Sequence, residues 1–252
     1  MIKEVYAQCN LQYLQKLFDA YVKIKDEENI IYIGGRMIQS EDDQVDKTMV
    51  VQIFDMIYQI FSKKRKTCRD VLQIESIELQ NGNKKRLKSI REYKSKLFSE
   101  VSQVLTRFIN DIKKGIKNNR NRNKELILFF NFNLADYRRY LCEVTLDPLL
   151  KEAYIKETEN TYLEYFKMLD ENNVCNVSPA SITGHYHYSI FLFEVKNTKT
   201  EAIQYLKNQR FEYIARLDTM FKNFIESYEL IDIITTTLTN WVILTNFKEV
   251  EI

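Results

Sequence analysis

Residues 87 to 108 read LKSIREYKSKLFSEVSQVLTRF, and this stretch decides the fold class. Its apolar residues recur three or four positions apart, at Leu87, Ile90, Tyr93, Leu97, Val101, Leu105 and Phe108. This spacing places one apolar stripe along an α-helix. Because charged and polar residues fill the positions between, the segment predicts a long helix with one buried face.

The same period returns along most of the chain. It recurs in the ranges 50–61, 126–141, 154–169 and 214–231. Only five glycines and two prolines occur among the 252 residues, too few for the turns of a sandwich, a barrel or a doubly wound sheet. The pattern therefore predicts an all-α fold of eight or nine helices, in one large domain or two small ones. Short connections favour antiparallel neighbours.

Local signals predict where several helices begin and end. Asp147-Pro148 and Ser178-Pro179 each offer a side-chain cap followed by a proline at the first helical position. Thr198 with Glu201 forms a capping box. Breaks are expected at four places, namely Gly34-Gly35, Asn81-Gly82-Asn83, the basic run 113–124 and Asn172-Asn173.

Composition excludes several classes of function. The net charge is only +2, and the basic run 113–124 contains no aromatic residue, so we expect a solvated loop there and no nucleic-acid partner. The most apolar stretch, Leu126 to Phe132, is short and contains Asn131, so we expect no membrane partner. The four cysteines, Cys9, Cys68, Cys142 and Cys175, lie far apart. They predict reduced thiols in the cytoplasm or the nucleus.

No motif of an enzyme, metal or cofactor site is present. The sequence lacks a glycine-rich phosphate loop, a Cys-x-x-Cys pair and a His-Glu-x-x-His pair, so we expect no catalysis and no cofactor. The two histidines, His185 and His187, fall on opposite sides of a helix, which argues against a shared metal. His187 and Glu194 are seven apart and are expected to form a half-buried polar pair, with an acid/base or metal role as the alternative.

Two arginines from distant segments are candidates for binding an anion. Arg65 shares a helical face with Tyr58 and Arg69, whereas Lys63 and Lys64 point elsewhere. Arg139 follows Asp136 by three residues, so that carboxylate can orient its guanidinium. Together, the two guanidiniums could hold one phosphate group. The alternative is that both charge clusters are ordinary solvated surface.

Five segments occur in the order found in the 14-3-3 family, and the chain resembles a divergent member of it. They are Arg91-Glu92-Tyr93 with Lys96 and Glu100, Asp136-Tyr137-Arg138-Arg139-Tyr140-Leu141-Cys142-Glu143, Tyr188-Ser189-Ile190-Phe191 with Glu194, Leu217-Asp218-Thr219-Met220, and Leu238-Thr239-Asn240-Trp241. The resemblance covers nearly the whole chain. It implies a single domain over residues 1–252, with about nine antiparallel helices forming a concave groove.

The resemblance also implies a function and a set of site residues. The family binds phosphoserine or phosphothreonine peptides of client proteins in extended form and acts as a non-catalytic adaptor. The phosphate-binding positions carried over are Arg65, Arg139, Tyr140 and Tyr58, the last of which stands where the family has a lysine. The peptide-binding positions carried over are His187, Ile190, Glu194, Thr237 and Trp241.

Departures from the family pattern favour a second interpretation. His187 and Thr237 replace asparagines, Asn240 replaces a leucine, and Tyr58 has no charge. A degenerate scaffold that binds partners independently of phosphate is therefore the alternative. A tetratricopeptide-like array would need a 34-residue internal period, and the sequence has none.

The expected dimer lacks part of its family pattern. Gln12 and Gln15 stand where the family has the charged partners of Lys96 and Glu100, so a homodimer or heterodimer would depend on apolar contacts. Leu14, Leu17 and Tyr93 are the residues expected to supply them.

Overall fold

The computed structural model describes residues 11–40, 47–119, 123–216 and 224–245. Over these ranges it consists of nine α-helices and one short π-helix. The α-helices are α1 (Leu11–Ile24), α2 (Glu27–Ile38), α3 (Lys47–Gln80), α4 (Lys84–Asn119), α5 (Lys124–Val144), α6 (Pro148–Glu171), α7 (Pro179–Ile190), α8 (Lys199–Arg216) and α9 (Phe224–Thr245). The π-helix, Phe191–Val195, continues directly from α7. The predicted all-α fold of about nine helices is confirmed.

Several predicted helix ends are confirmed. Helix α6 begins at Pro148. The Asp147 side chain accepts hydrogen bonds from the backbone N–H groups of Leu149 and Leu150 at 2.9 and 3.0 Å. Helix α7 begins at Pro179 and is capped by Ser178. Between α3 and α4, Gly82 has a φ of +68°, a left-handed conformation that glycine adopts without steric cost.

The predicted break at Gly34-Gly35 is wrong, because both glycines lie inside α2. Their role is close packing. A Cβ at Gly34 would lie 2.9 Å from side-chain carbons of Ile53 and Ile57, so the missing side chain lets α2 approach α3. The predicted loop over 113–124 is also shorter than expected, since α4 continues to Asn119 and Asn123 caps α5.

The chain divides into two compact units, and each has its own core. The first holds the described residues of Met1–Phe130 and Glu143–Lys151, with a cluster of phenylalanines that includes Phe54, Phe108 and Phe130. The second holds those of Asn131–Cys142 and Glu152–Ile252, with an aromatic core around Tyr162 and Phe191. Helix α5 supplies residues to both units. The single domain over 1–252, the antiparallel order and the concave groove stay predictions.

The stripe on α4 is buried over only part of its length. Leu87, Val101, Leu105 and Phe108 are buried, but Tyr93 is 54% exposed. Leu14 of α1, expected at a dimer contact, is instead buried within the chain itself at 4% exposure. The first unit therefore uses Leu14 for its own core.

The thiols that the structure describes agree with the prediction from cysteine spacing. Cys68, Cys142 and Cys175 are all free, and only Cys175 is exposed. Cys9 lies outside the described residues, as does the family-like segment Leu217-Asp218-Thr219-Met220. No helix among the described residues is long and apolar enough to span a bilayer.

Candidate functional site

Arg65 is held by a carboxylate from another helix of the first unit. Its Nε and Nη2 donate to the two oxygens of Glu143 at 3.2 and 2.6 Å, a bidentate pair. Arg69, one turn further along α3, donates to the same carboxylate at 3.2 Å. The side chains of Arg65 and Glu143 are only 11% and 15% exposed, so this is a partly desolvated cluster. Two guanidiniums and one carboxylate leave it with one net positive charge.

The neighbouring residues on α3 behave as the helical face predicts. Lys63 and Lys64 turn away and both pair with Glu27 at 3.0 Å. Tyr58 lies on α3 before Arg65 and is 47% exposed. Its phenol can offer a hydroxyl but no charge, so Arg65 and Arg69 provide the cationic character of this surface.

Arg139 is fixed in the second unit by the carboxylate three residues before it. Its Nε and Nη2 donate to Asp136 Oδ1 at 2.9 and 2.7 Å, and its side chain is only 4% exposed. The predicted orienting role of Asp136 is therefore confirmed. Arg138 points away from this cluster and pairs with Glu157 and Thr161 of α6.

Asp136 also binds residues that the local sequence did not predict. His187 Nδ1 donates to Asp136 Oδ1 at 2.8 Å, and the Tyr162 hydroxyl lies 3.4 Å from the same oxygen. Burial by itself would raise the pKa of Asp136, but Arg139, His187 and a hydrogen bond from Tyr140 hold that pKa well below its ordinary value. Asp136 is thus a buried, ionised anchor that positions Arg139 and His187.

Tyr140 is more enclosed than a simple phosphate donor would need to be. It is 1% exposed, its hydroxyl bonds Asp136, and its ring lies under the Arg139 guanidinium at 4.7 Å from the centroid. The stacking fixes the plane of the guanidinium. Tyr140 therefore supports Arg139 directly in this structure.

The expected pair of His187 and Glu194 is wrong. His187 bonds Asp136, and Glu194 is exposed. The cause is the π-helix Phe191–Val195, in which the Lys196 N–H bonds the Phe191 carbonyl five residues back at 3.0 Å. The wider turn shifts later residues out of α-helical phase, so a seven-residue spacing no longer marks a shared face.

The remaining peptide-side residues lie in or beside the core of the second unit. Trp241 is 7% exposed and stacks on Phe193, with ring centroids 4.1 Å apart. Ile190 is partly buried against the same core. The Thr237 and Tyr186 hydroxyls lie 3.1 Å apart, and the Tyr186 ring contacts His187. Arg139, Tyr140 and His187 thus meet at Asp136, while Arg65 and Tyr58 share α3 of the first unit.

Sequence reasoning assigned no role to Glu143 or Tyr162. Glu143 closes the family-like segment and lies 78 residues from Arg65, so no local spacing could pair the two. The pair Arg65 and Arg69 could have indicated such a carboxylate, because two cations on one helix face repel each other unless an acidic group lies between them. In the described part of the chain, no group of three or more metal-ligating side chains occurs.

The fold and these clusters define an all-helical protein with two carboxylate-anchored arginines. The family model for "14-3-3 protein" matches residues 36–242, and the chain belongs to the 14-3-3 family. It is 26% identical to 14-3-3 protein eta of Homo sapiens over 184 residues, which cover 72% of this chain and 74% of that protein. It is 24% identical to 14-3-3 protein 3 of Solanum lycopersicum over 237 residues, which cover 91% and 86%.

Membership in this family supports an adaptor or scaffold role in which the chain binds partner proteins. Members of the family are non-enzymatic adaptors.

Proposed function

We propose that this chain is an adaptor that binds phosphoserine or phosphothreonine peptides of client proteins through Arg65, Arg139 and Tyr140. One observation carries the proposal: each arginine is held by a carboxylate in its own unit, Arg65 by Glu143 and Arg139 by Asp136. An oriented guanidinium loses less side-chain entropy when it binds a ligand than a mobile one does.

The carboxylates are compatible with phosphate binding. The bonds to Glu143 and Asp136 use Nε and Nη2 and hold each planar guanidinium in one orientation. The Arg65, Arg69 and Glu143 cluster keeps a net positive charge, which favours a dianion. The exposed phenol of Tyr58 adds a neutral donor where the family has a lysine. We therefore expect weaker binding than in members that keep the lysine.

The peptide chain would contact His187, Ile190, Glu194, Thr237 and Trp241. His187 and Thr237 already have partners in Asp136 and Tyr186, so their hydrogen bonds to a ligand would compete with existing ones. Specificity for the peptide backbone is therefore expected to differ from that of relatives with asparagines at these positions.

The burial of Arg139 and Tyr140 favours a second candidate function. Both side chains are almost fully enclosed, and Arg139 is neutralised by Asp136. A scaffold that binds unmodified segments of its partners would not need the enclosed cluster of Arg139, Tyr140 and Asp136 to open. Dimerisation, the phosphorylation state of partners and a cytoplasmic or nuclear location are parts of the proposal and depend on the family relationship.

Calorimetric titration with one peptide in phosphorylated and unphosphorylated forms separates the two candidates. Phosphate-dependent binding should be lost in Arg65→Glu and Arg139→Glu. Lys63→Glu is the matched control, because Lys63 lies on the same helix, is 76% exposed and pairs with Glu27. Equal affinity for both peptide forms would refute phosphate recognition and support the second candidate. Arg139→Lys, which keeps the charge, tests whether the planar fork is required.

A further inference from the structure

The hairpin of α3 and α4 in the first unit carries an excess of positive charge near its tip. Residues 84–96 contain one acid, Glu92, and seven cations, which are Lys84, Lys85, Arg86, Lys88, Arg91, Lys94 and Lys96. Two carboxylates of α3, Glu75 and Glu78, pair with three of these cations, which are Arg86, Arg91 and Lys94. The other four form no ion pair within the ranges that the structure describes. Seven cations and three carboxylates leave four positive charges on this surface.

Two of the unpaired lysines, Lys84 and Lys88, line an open depression of about 450 Å³. Both are exposed, whereas Leu87 between them is buried and adds an apolar contact. Arg91 extends the cationic wall. None of the described lining residues is aromatic, so the surface lacks the stacking platform that single-stranded nucleic acid uses. A concave cationic surface suits a narrow acidic chain better than a flat bilayer.

Ion pairs fix the register between the two helices of the hairpin. Glu75 pairs with Arg91 at 3.0 Å and Glu78 pairs with Arg86 at 3.2 Å. The partner on α4 thus moves back along the sequence as the residue on α3 moves forward, so α4 runs antiparallel beside α3.

The depression opens on the side of the hairpin that also carries Arg65 and Arg69. Each residue of an α-helix advances about 100°, so both arginines lie about a quarter turn past the line along which Glu75 faces α4. The two lysines of the depression lie about a quarter turn, in the same sense, past the line along which Leu87 faces α3. Equal rotations from the contact line of two antiparallel helices lead to the same side. Leu72, on this face of α3, is 42% exposed, so the path between the two sites is open.

The distance between the two sites sets a spacing along a bound peptide. Glu75, which pairs with Arg91, follows Arg69 by six residues and Arg65 by ten, or about 9 and 15 Å along α3. Lys84 lies seven residues before Arg91, about 10 Å further towards the tip. An extended peptide advances about 3.3 Å per residue, so it reaches the level of Arg91 after about three to five residues and that of Lys84 after about six to eight.

We propose that this surface selects client peptides whose acidic side chains lie about three to eight residues from the phosphorylated residue. The inference rests on the proposed binding of phosphopeptides at Arg65 and adds the chemistry of the flanking sequence. The acidic residues lie on the side of the phosphorylated residue on which the peptide runs from Arg69 towards the tip of the hairpin. Their carboxylates pair with Lys88 and Lys84, whose charges are not balanced within the hairpin.

Calorimetry on the full chain with three phosphoserine peptides of equal length tests the proposal. One peptide carries glutamates before the phosphoserine, one carries them after it, and the third has glutamines in both places. One of the glutamate peptides should bind about threefold or more tighter than the glutamine peptide, since exposed ion pairs each contribute little. The advantage should disappear in the double variant Lys84→Gln with Lys88→Gln. It should persist in Lys114→Gln with Lys117→Gln, two exposed lysines at the other end of α4.

Folding does not obscure this test, because the substituted lysines are exposed and thermal melts of the variants should match the wild type. Lys84→Arg with Lys88→Arg keeps both charges and should retain the advantage. Equal affinity for the three peptides, or an advantage that survives Lys84→Gln with Lys88→Gln, would overturn this inference alone.

The glutamine peptide separates this inference from the proposed function. If that peptide binds equally with and without its phosphate, the proposed function and the inference both fail. Binding to phosphatidylserine vesicles that is lost in Lys84→Gln with Lys88→Gln, together with no preference among the peptides, would overturn the inference and assign the surface to a bilayer.

Discussion

His187 and Asp136 lie 51 residues apart in sequence, and their Nδ1 and Oδ1 atoms are 2.8 Å apart. The same oxygen receives both bonds from Arg139. One buried carboxylate oxygen thus fixes a histidine from α7 and an arginine from α5. The position of Arg139 depends on this shared acceptor, and so does the proposed function.

Asp136→Asn should lower the free energy of unfolding by about 3–5 kcal/mol, the usual cost of leaving a buried charge without its partner. The amide keeps the shape of the side chain but loses the charge that balances Arg139. Urea denaturation followed by circular dichroism measures the change. Asp232→Asn, at an exposed acid of α9, serves as the control, and an equal loss in both variants would contradict the anchoring role of Asp136.

Asp111 should make folding stability fall as pH rises from about 4 to about 6. Burial raises the pKa of Asp111 to about 6, against smaller opposing effects of Lys114, Arg36 and Arg107. A raised folded-state pKa means that the native state holds the Asp111 proton more tightly than the unfolded chain does. The stabilisation from protonated Asp111 is therefore complete below the unfolded-state pKa and is lost as pH rises through the folded-state pKa.

Asp111→Asn should remove this dependence and raise stability at pH 7 by on the order of 1 kcal/mol. Gln39, which donates to Asp111 at 2.8 Å, can donate to the amide oxygen as well. Denaturation midpoints of both proteins at several pH values provide the test. Parallel curves for wild type and variant would show that Asp111 is not the source.

His185 should have the opposite effect over a similar window. Burial lowers its folded-state pKa to about 4, below the ordinary value of 6.5, so the unfolded chain binds more protons as pH falls. The contribution of His185 to stability is present above about pH 6.5 and is lost as pH falls towards 4. NMR titration of the imidazole carbon-bound protons measures the pKa directly, and a value near 6.5 would contradict the burial argument.

Gly115→Ala should destabilise the first unit by about 1–3 kcal/mol, the usual cost of overpacking. A Cβ at this position would lie 2.7 Å from the backbone carbonyl oxygen of Ile38, which cannot move without shifting α2. Lys117→Ala on the same helix is exposed and gives the matched control. Thermal melts compare the two, and an unchanged melting temperature for Gly115→Ala would show that α2 and α4 can separate at little cost.

Tyr58→Lys should tighten phosphopeptide binding if Tyr58 lines the phosphate site. A new charge-assisted bond contributes about 1.5–3 kcal/mol, which corresponds to roughly ten- to a hundredfold in affinity. Tyr93→Lys is the control, since Tyr93 is exposed to a similar degree on another helix of the same unit. Unchanged affinity in Tyr58→Lys would place Tyr58 outside the site.

Local features of the sequence predicted the helices and the anchoring of Arg139, because both depend on spacings within one or two turns. The helical period of the apolar residues, the caps before the two prolines and the three-residue spacing of Asp136 and Arg139 all involve residues within one or two turns of each other. Glycines misled the interpretation at Gly34-Gly35, since the same residue that breaks a helix also permits close helix packing. Only the packed structure distinguishes the two uses.

The partners of the site residues could not be predicted from spacing. Glu143 reaches Arg65 and His187 reaches Asp136 across long sequence separations, and these pairings depend on how the helices of each unit pack. The family resemblance indicated Arg65 and Arg139 but not which carboxylate holds each one. It also gave no sign that Tyr140 is enclosed, because burial depends on all the neighbouring elements.

The π-helix at Phe191–Val195 has a consequence for how this region tolerates change in length. A turn closed by a bond from Lys196 to Phe191 contains one residue more than an α-helical turn. Removal of a single residue there could restore ordinary α-helical hydrogen bonding without ending the helix, while rotating every later side chain about the axis. Natural or engineered one-residue deletions in this segment would therefore redirect Glu194 and its neighbours and leave the helix itself continuous.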